Sequence, residues 1–358
     1  MLVYLFLLFL ALLNLIFVKD PKIKLPSLII IVFMFILCAF RAESIGTDTS
    51  HYADILNGTR ANAEEKLQSQ LLFSLFVSVG RETSFTFFLT LFAGTTYFPL
   101  YHVLRKETGK YLPIAILIFI VSMQAYFICS MNIMRQILAT VLLLFSFSEL
   151  NKKRFIPFLC WYVLALLMHT ITLIYLPFII LSQFKMSIKK VLIIVVGALT
   201  FSFMLSSVFD PSIIGGLLIG TEFLNLYHFA NYFEEIGDGY GFWGAIKQLV
   251  PTAFIALYSY KVLDGHLYCR LYLWGLAFLC MATPFTTYAL RFSMGLYATE
   301  LFILPMMYKK ISTSGGHKYK FGVTPLNFYL FFLTVYFLYT VFTIYIDDKL
   351  IIPYKFNF

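Results

Sequence analysis

Residues 112 to 129 read LPIAILIFIVSMQAYFIC and contain no charged side chain. A helix needs about 20 residues to cross a hydrocarbon core about 30 Å thick, so this run is nearly long enough to span a membrane. Similar runs recur along all 358 residues, of which 60% are hydrophobic and only 13% charged. A soluble domain carries about a quarter charged residues. The composition therefore excludes a soluble enzyme, a disordered protein and a nucleic-acid-binding domain.

We predict an all-α polytopic membrane fold with about 12 transmembrane helices in a single domain, residues 1–358. The predicted spans are apolar runs with few charges: residues 2–18, 25–40, 83–104, 112–129, 133–149, 155–168, 170–184, 188–206, 247–262, 267–283, 291–308 and 326–346. Two long polar segments, residues 41–82 and 207–246, separate some of these spans. Within the first segment, Leu67–Val79 is too short to span and is predicted as an interfacial or re-entrant helix.

Lysine and arginine clusters indicate the orientation of the chain. Six clusters fall between alternate pairs of spans and contain most of the 27 Lys and Arg residues. They are Lys19–Lys24, Arg105–Lys110, Lys152–Arg154, Lys185–Lys190, Lys261–Arg270 and Lys309–Lys320. Because short cytoplasmic loops carry the excess of positive charge, these clusters are predicted to be cytoplasmic. Both termini and both long polar segments then lie on the opposite, outer side of the membrane.

Residues 155–184 are predicted to form a short hairpin of two helices that turns near Met168-His169-Thr170. One long tilted helix is the alternative, but it would invert every later loop against the charge rule. Each arm has about 15 residues and is roughly 22 Å long, so the tip stops below the outer membrane surface. Short spans on this side predict a cavity that opens outward.

Three arginines lie at the predicted outer ends of spans. Arg41 ends the second span, Arg135 is in the first turn of the fifth, and Arg291 opens the eleventh. A guanidinium binds phosphate oxygens through two parallel hydrogen bonds, so the three arginines predict an anion site. Arg135 opposes the helix dipole unless an anion binds there, and Asn132 and Gln136 are predicted to share its face. Alternatively, Arg135 reaches the membrane interface or pairs with a loop carboxylate.

Two titratable residues lie on the same predicted side. His169 at the hairpin tip could accept a proton from a hydroxyl, or it could be a structural hydrogen-bond donor. Asp48 lies in the stretch RAESIGTDTSHY, residues 41–52, where Gly46 permits a tight turn. Asp48 could act as a base, orient a sugar hydroxyl or brace Arg41, and an Asx-type turn or a salt bridge with Arg41 is the structural alternative. The acidic residues lack the spacing of a metal site, so we expect no metal and no cofactor.

Aromatic residues in the long polar segments are candidates for sugar binding. Tyr52 belongs to the first segment, and Tyr227, His228 and Tyr232 belong to the second. Rings such as these could stack on sugar rings, and an interfacial belt of aromatic side chains is an equal alternative for the second segment.

Four short motifs occur in an order that resembles a known family. They are Arg41…Gly46-Thr-Asp48…Tyr52, Asn132-Ile-Met-Arg135-Gln136, Ala165-Leu-Leu-Met-His169, and Arg291 before an apolar run to Pro305. Together they resemble the EpsG-type exopolysaccharide polymerases, a branch of the Wzy O-antigen and capsule polymerases. In that pattern the histidine is usually followed by Ser, whereas here Thr170 follows it.

The resemblance implies a multi-pass glycosyltransferase of the bacterial inner membrane with its active site facing the periplasm. Such enzymes join oligosaccharide repeat units carried on undecaprenyl pyrophosphate, and the lipid pyrophosphate is the leaving group. The implied partners are these lipid-linked oligosaccharides, membrane lipid and a chain-length regulator, with no nucleic acid. The implied pyrophosphate-binding residues are Arg41, Arg135, Arg291 and Gln136, the catalytic candidates are Asp48 and His169, and Asp48 is the favoured base.

Two other functions stay open at this point. A lipid-linked glycan ligase, or another polyprenyl-dependent glycosyltransferase, would use the same arginines with a different acceptor. A glycolipid transporter or flippase is less favoured, because transporters place their sites near the membrane midplane and use repeated halves.

Overall fold

The computed structural model describes residues 1–16, 25–46, 48–59, 70–123, 125–208, 242–282, 287–313, 323–347 and 354. The secondary structure of these ranges is helical and includes no extended strand. This agrees with the predicted all-α class. Within the same ranges, two stretches are long and apolar enough to cross a membrane, Phe85–Val121 and Pro325–Phe342, and six apolar helices are shorter. The number of spans and the sides of the termini stay predictions.

The α-helices are numbered along the chain. They are α1 (Leu2–Asn14), α2 (Leu25–Ala39), α3 (Thr49–Leu56), α4 (Leu71–Glu82), α5 (Phe85–Thr108), α6 (Leu112–Val121), α7 (Tyr126–Asn132), α8 (Met134–Asn151), α9 (Phe155–Met168), α10 (Leu176–Leu181), α11 (Ile188–Val208), α12 (Phe242–Val262), α13 (Leu267–Ala282), α14 (Thr287–Tyr297), α15 (Glu300–Thr313) and α16 (Val323–Asp347). Two 3₁₀ helices, Gly109–Tyr111 and Thr170–Tyr175, connect some of them.

The helices form two compact units, so the predicted single domain stays a prediction. The first unit combines Met1–Ile174 with Glu300–Phe358, and the second is Tyr175–Thr299. In the first unit, α5 packs on α2 and α8, and α8 packs on α9. In the second unit, α13 packs on α11, α12 and α14.

Local sequence signals explain the ends of α5. The Ser84 hydroxyl caps its N terminus by accepting a hydrogen bond from the Phe87 N–H at 3.1 Å. At its C terminus, Gly109 has φ +58, a conformation that glycine adopts without strain. Arg105 and Lys106 lie in the last turn, where positive charge complements the helix dipole.

The chain turns at His169, where the hairpin was predicted. Helix α9 ends at Met168, and the Tyr162 hydroxyl donates to the Thr172 carbonyl at 2.7 Å. In a straight helix these two residues would be about 15 Å apart, so the backbone folds back here. The second arm differs from the prediction, because residues 170–184 form a 3₁₀ helix followed by α10. Pro177 explains where α10 begins, since proline favours the first turn of a helix.

Two predicted spans are interrupted, and here the sequence prediction was wrong. The run 112–129 breaks between α6 and α7, where Ala125 has φ +47. The run 291–308 starts earlier and breaks between α14 and α15, so Arg291 lies inside α14 rather than at its start. The Ser122 hydroxyl donates to the carboxylate of Glu300, which is 3% exposed. Polar groups at the two breaks therefore satisfy one another.

Ion pairs join the C-terminal ends of α5 and α8. Lys106 and Arg154 contact Glu149 at 3.2 and 3.0 Å, and Lys152 contacts Glu107 at 2.8 Å. We call these five residues the glutamate cluster. It unites two of the basic clusters that are predicted to be cytoplasmic. Helix α8 has 18 residues, so its opposite end lies about 27 Å away.

The opposite end of the first unit contains residues close to both termini. The Tyr354 hydroxyl donates to the Leu37 carbonyl near the end of α2. Its ring lies 6.2 Å from the ring of Tyr4, measured between centroids. Tyr4 and Tyr354 therefore lie near the α2 end that precedes Arg41, and their assignment to the periplasmic side stays a prediction.

Candidate anion-binding site

The first-loop motif packs against the junction of α7 and α8. Gly46 has φ +89, and a Cβ atom there would lie 2.6 Å from Asn132 Oδ1 and 2.8 Å from the Met131 carbonyl. Only glycine fits this turn without displacing α7. Three residues after Gly46, at the start of α3, the Thr49 hydroxyl contacts the carbonyls of Ile45 at 2.6 Å and Met131 at 3.2 Å. The tight turn predicted at Gly46 thus joins the loop to the helix junction.

Arg41 is enclosed beneath this turn, with 1% of its surface exposed. Its Nη1 donates to the Cys38 carbonyl at 2.5 Å, its Nε to the Thr49 hydroxyl at 3.4 Å, and its Nη2 to Met134 Sδ at 2.9 Å. Burial lowers the pKa of the Arg41 guanidinium from its ordinary value, and the titratable groups around it are a thiol and phenols. No carboxylate among the described residues pairs with it.

Arg135 is the second residue of α8 and is half-buried. Its Nη1 donates to Gln70 Oε1 at 3.0 Å, and its guanidinium carbon lies 4.6 Å from the centroid of the Phe73 ring. Its Nε is buried and has no hydrogen-bond partner in the described structure. Arg135 therefore has no carboxylate partner among the described residues, and the alternative that it reaches the membrane interface stays open.

Tyr52 connects the surroundings of the two arginines. Its side chain is 4% exposed, and its ring centroid lies 5.8 Å from the Arg135 guanidinium carbon. Burial raises the pKa of the Tyr52 phenol, although the charge of Arg135 opposes this shift. Its phenol also interacts electrostatically with Arg41. Because the phenol is neutral near pH 7, it does not neutralise either guanidinium.

The helix around Arg135 is interrupted, which corrects one sequence prediction. Ile133, with φ −91 and ψ +55, separates α7 from α8. Asn132 therefore ends α7 and contacts Gly46, so it does not share one helical face with Arg135 and Gln136. Arg135 and Gln136 do lie in the first turn of α8, and Gln136 is 4% exposed.

Asp48 lies next to this site at the N-cap of α3 and is half-buried. Its carboxylate makes no capping hydrogen bond to the helix. Within the described ranges it forms no ion pair with Arg41. The Asx-type turn and the salt bridge, which were the structural alternatives, are therefore both absent from this part of the chain. The carboxylate interacts electrostatically with the Tyr52 phenol.

His169 ends α9 and is half-buried. Its Nδ1 accepts a hydrogen bond from the Ile171 N–H at 3.2 Å, and its carbonyl accepts from the Thr172 N–H at 3.2 Å. An imidazole that accepts at Nδ1 carries its proton on Nε2 when it is neutral. In this orientation Nε2 is a donor rather than an acceptor.

The remaining predicted site residues are not part of this geometry. Arg291 belongs to the second compact unit, so its convergence with Arg41 and Arg135 stays a prediction. The predicted glycan-binding residues Tyr227, His228 and Tyr232 lie outside the described residues. In the described part of the chain, no group of three or more His, Cys, Asp or Glu side chains could hold a metal ion.

The comparison with known families now adds to this geometry. The model of the EpsG family matches residues 24–356, which is nearly the whole chain. The chain belongs to the EpsG family. This is a Wzy-like polymerase family, so membership indicates a membrane protein of polysaccharide biosynthesis with a polymerase-like function. No curated protein and no solved structure matches the chain.

The EpsG resemblance identified the arginines but not the side chains that hold them. Gln70 and Phe73 contact Arg135 from a helix that sequence reasoning treated only as interfacial. Thr49 and Met134 are adjacent in sequence to predicted site residues, yet nothing in their residue types indicates a contact with Arg41. Only proximity in sequence to Asp48 and Arg135 could have drawn attention to them.

Proposed function

We propose that this chain polymerises oligosaccharide repeat units carried on undecaprenyl pyrophosphate, at the outer face of the bacterial inner membrane. In this function the growing glycan is transferred from its lipid pyrophosphate to the incoming lipid-linked unit. The product is an O-antigen, capsular or related polysaccharide. A chain-length regulator is the proposed protein partner.

The observation that carries this proposal is the state of Arg135. It lies in the first turn of α8, where the helix dipole favours an anion. No carboxylate of the described structure pairs with it. A diphosphate supplies the missing negative charge and also accepts several hydrogen bonds, so it suits this position better than a neutral sugar.

The chemistry of glycosyl transfer needs charge stabilisation at this point. The hydroxyl oxygen of the incoming sugar attacks the anomeric carbon, and the bond from that carbon to the phosphate oxygen breaks. The electron pair of this bond remains on the leaving diphosphate. Arg135 stabilises the charge that develops there, which is a large term in many enzymes. The hydroxyl proton passes to Asp48, whose carboxylate is not committed to another hydrogen bond in the described structure.

His169 then serves as a donor rather than as the base. With Nδ1 accepting from Ile171, the neutral ring presents an N–H at Nε2. We propose that His169 contributes to binding a phosphate or sugar oxygen of the substrate and does not take the hydroxyl proton. Arg291 and the aromatic residues of the segment 207–246 remain candidates for the rest of the substrate.

Purified protein in proteoliposomes, supplied with a single lipid-linked repeat unit, tests the proposal. We expect a ladder of longer glycans, with one undecaprenyl pyrophosphate released for each glycosidic bond that forms. Transfer to a non-lipid acceptor without a ladder would instead indicate a ligase. Recovery of the unchanged substrate in the opposite leaflet would indicate a flippase, and either outcome would overturn the polymerase.

A further inference from the structure

Arg41 and Arg135 differ in how much of each guanidinium is available. Arg41 is 1% exposed, and each of its three nitrogens already donates to a group of the chain. Arg135 is half-buried, and its Nε lacks a partner in the described structure. The half-exposed guanidinium of Arg135 can therefore contact a ligand while keeping its bond to Gln70, whereas at Arg41 a ligand would have to replace existing bonds.

The space beside Arg41 is also too small for a phosphate. The adjoining cavity has a volume of about 10 Å³ and is lined by Arg41, Cys38, Tyr97, Ser130 and Met134 together with apolar side chains. A volume of this order holds about one water molecule. The Tyr97 and Ser130 hydroxyls and the Cys38 thiol bond to one another across the cavity wall. These bonds leave little polar capacity for a ligand.

Helix dipoles distinguish the two arginines further. Arg41 follows the C terminus of α2 and donates to the Cys38 carbonyl, where a cation is stabilised. Arg135 lies at the N terminus of α8, where a cation is destabilised. The positive charge of Arg41 is thus stabilised by the C-terminal carbonyls of α2, whereas the charge of Arg135 is destabilised by the dipole of α8 unless an anion binds.

The partners of Arg41 join three separate parts of the first unit. Cys38 lies in the last turn of α2, Thr49 starts α3, and Met134 starts α8 immediately before Arg135. Thr49 is 0% exposed and also contacts the Met131 carbonyl on α7. A displacement of Arg41 would therefore release the beginning of α8 on which Arg135 depends.

We infer that Arg41 is a positioning residue, which fixes the first turn of α8 and orients Arg135, and that it does not itself bind the diphosphate. This inference rests on the proposed function and reassigns one of the arginines in it. The arrangement of Arg41, Thr49 and Met134 is called the clamp below.

Hydrogen exchange tests the clamp without any substrate. The variants are Thr49→Val, which removes one hydroxyl at nearly constant volume, and Arg41→Lys, which removes the forked donor. The matched control is Arg81→Lys, because Arg81 also donates to a carbonyl, that of Ile55, but not near α8. We expect amides 131–137 to exchange about tenfold faster in both clamp variants and at an unchanged rate in the control. Unchanged exchange in both clamp variants would overturn the inference.

Binding of inorganic pyrophosphate tests the second half of the inference. The probe is the thermal stabilisation that pyrophosphate gives to the detergent-solubilised chain. We expect Arg135→Ala to weaken it strongly, with a residual shift still measurable at high pyrophosphate concentration. Arg41→Lys should weaken it in the wild-type background but should not reduce the residual shift of Arg135→Ala any further. A further loss of binding in the double variant would show that Arg41 touches the anion. If neither pyrophosphate nor lipid-linked substrate stabilises the wild-type chain against heat, the proposed function fails. The positioning role of Arg41 is then still tested by hydrogen exchange of amides 131–137.

Discussion

At one end of the first unit Lys106, Lys152 and Arg154 each contact a glutamate, whereas at the other end Arg41 and Arg135 contact no carboxylate among the described residues. The two ends are the ends of the same helix, α8, and both are rich in positive charge. At the glutamate cluster, the side chains of the three cations are 33 to 61% exposed. At the arginine end, the two guanidinium groups are buried or half-buried.

The difference separates cations that are paired with carboxylates from cations that need another form of compensation, which the described part of the chain supplies to Arg41 but not to Arg135. In the glutamate cluster the carboxylates are 8–10% exposed and the cations 33–61% exposed, so each buried carboxylate is compensated by a partly solvated cation and each pair adds only modestly to stability. A guanidinium taken out of water without a carboxylate is costly, so it persists where a dipole or a ligand compensates it. The comparison therefore supports the proposal that substrate binds at the N-terminal end of α8, and the glutamate cluster at its C-terminal end keeps its predicted cytoplasmic position.

The largest effect is expected at Arg135. Arg135→Ala should reduce polymer formation by about 100-fold or more, because charge on the leaving diphosphate loses its stabilisation. Arg135→Lys should recover little, since a point charge cannot form two parallel hydrogen bonds. The measurement is the length distribution of the glycan in cells that depend on the plasmid-borne variant. Arg154→Ala, at the glutamate cluster, is the control, and equal losses in both variants would remove the distinction between the two ends.

Gly46→Ala should have the next largest effect. Alanine there combines an unfavourable positive φ with a Cβ atom 2.6 Å from Asn132 Oδ1, so we expect a destabilisation of about 1–3 kcal/mol together with reduced polymerisation. Gly58→Ala is the matched control, because Gly58 has φ +70 but no atom lies within 4 Å of its added Cβ. Thermal unfolding and glycan length are measured on both variants. A loss seen in both reflects backbone strain at a positive φ, and the additional loss in Gly46→Ala reflects displacement of α7. Similar activity losses in both would mean that the junction is not involved.

A smaller effect is expected at His169. If the ring acts as a donor at Nε2, His169→Gln should retain a substantial part of the activity, because the glutamine amide also donates. His169→Ala should retain less, and the difference should be about tenfold, the typical value of one hydrogen bond to a charged group. Initial rates with the purified variants check this. Equal inactivation by Gln and Ala, with a pH profile that loses its acidic limb, would indicate a base instead.

The smallest effect is expected at the glutamate cluster. Glu149→Gln removes the ion pairs with Lys106, Lys152 and Arg154. The three cations are 33–61% exposed and stay hydrated, and the buried glutamine amide still accepts hydrogen bonds, so we expect a loss of stability of about 1 kcal/mol. Glycan length should be unchanged. Thermal unfolding and glycan analysis provide the check. A strong loss of polymerisation with normal stability would mean that this end also contributes to catalysis.

Sequence patterns predicted the helices better than their interruptions. The apolar runs 25–40 and 155–168 match α2 and α9 almost residue for residue, because hydrophobic length alone defines them. The breaks at Ser122–Ala125 and before Glu300 were missed, since the two segments are far apart in sequence and satisfy each other only in three dimensions. A polar residue inside an apolar run was the available signal.

The candidate site shows the same limit. Residue type and helix position were enough to predict Arg135, because a cation in a first turn is unfavourable without an anion. The same reasoning assigned Arg41 to pyrophosphate binding together with Arg135. The contacts of Arg41 with Thr49 and Met134 reach across the fold, and Met134 is 93 residues away in sequence. The spacing of residues along the sequence does not predict contacts between such distant positions, so the burial of Arg41 could not be predicted.

The bond from the Tyr354 hydroxyl to Leu37 has a practical consequence for labelling the protein. A fluorescent reporter or purification tag fused downstream of Tyr354 would attach close to the helix end that leads into Arg41. If such a fusion breaks the Tyr354–Leu37 bond, it displaces the end of α2 and with it Arg41, so activity is lost while expression stays normal. The exposed turn at Lys153, which has φ +60, offers an insertion point at the far end of α8.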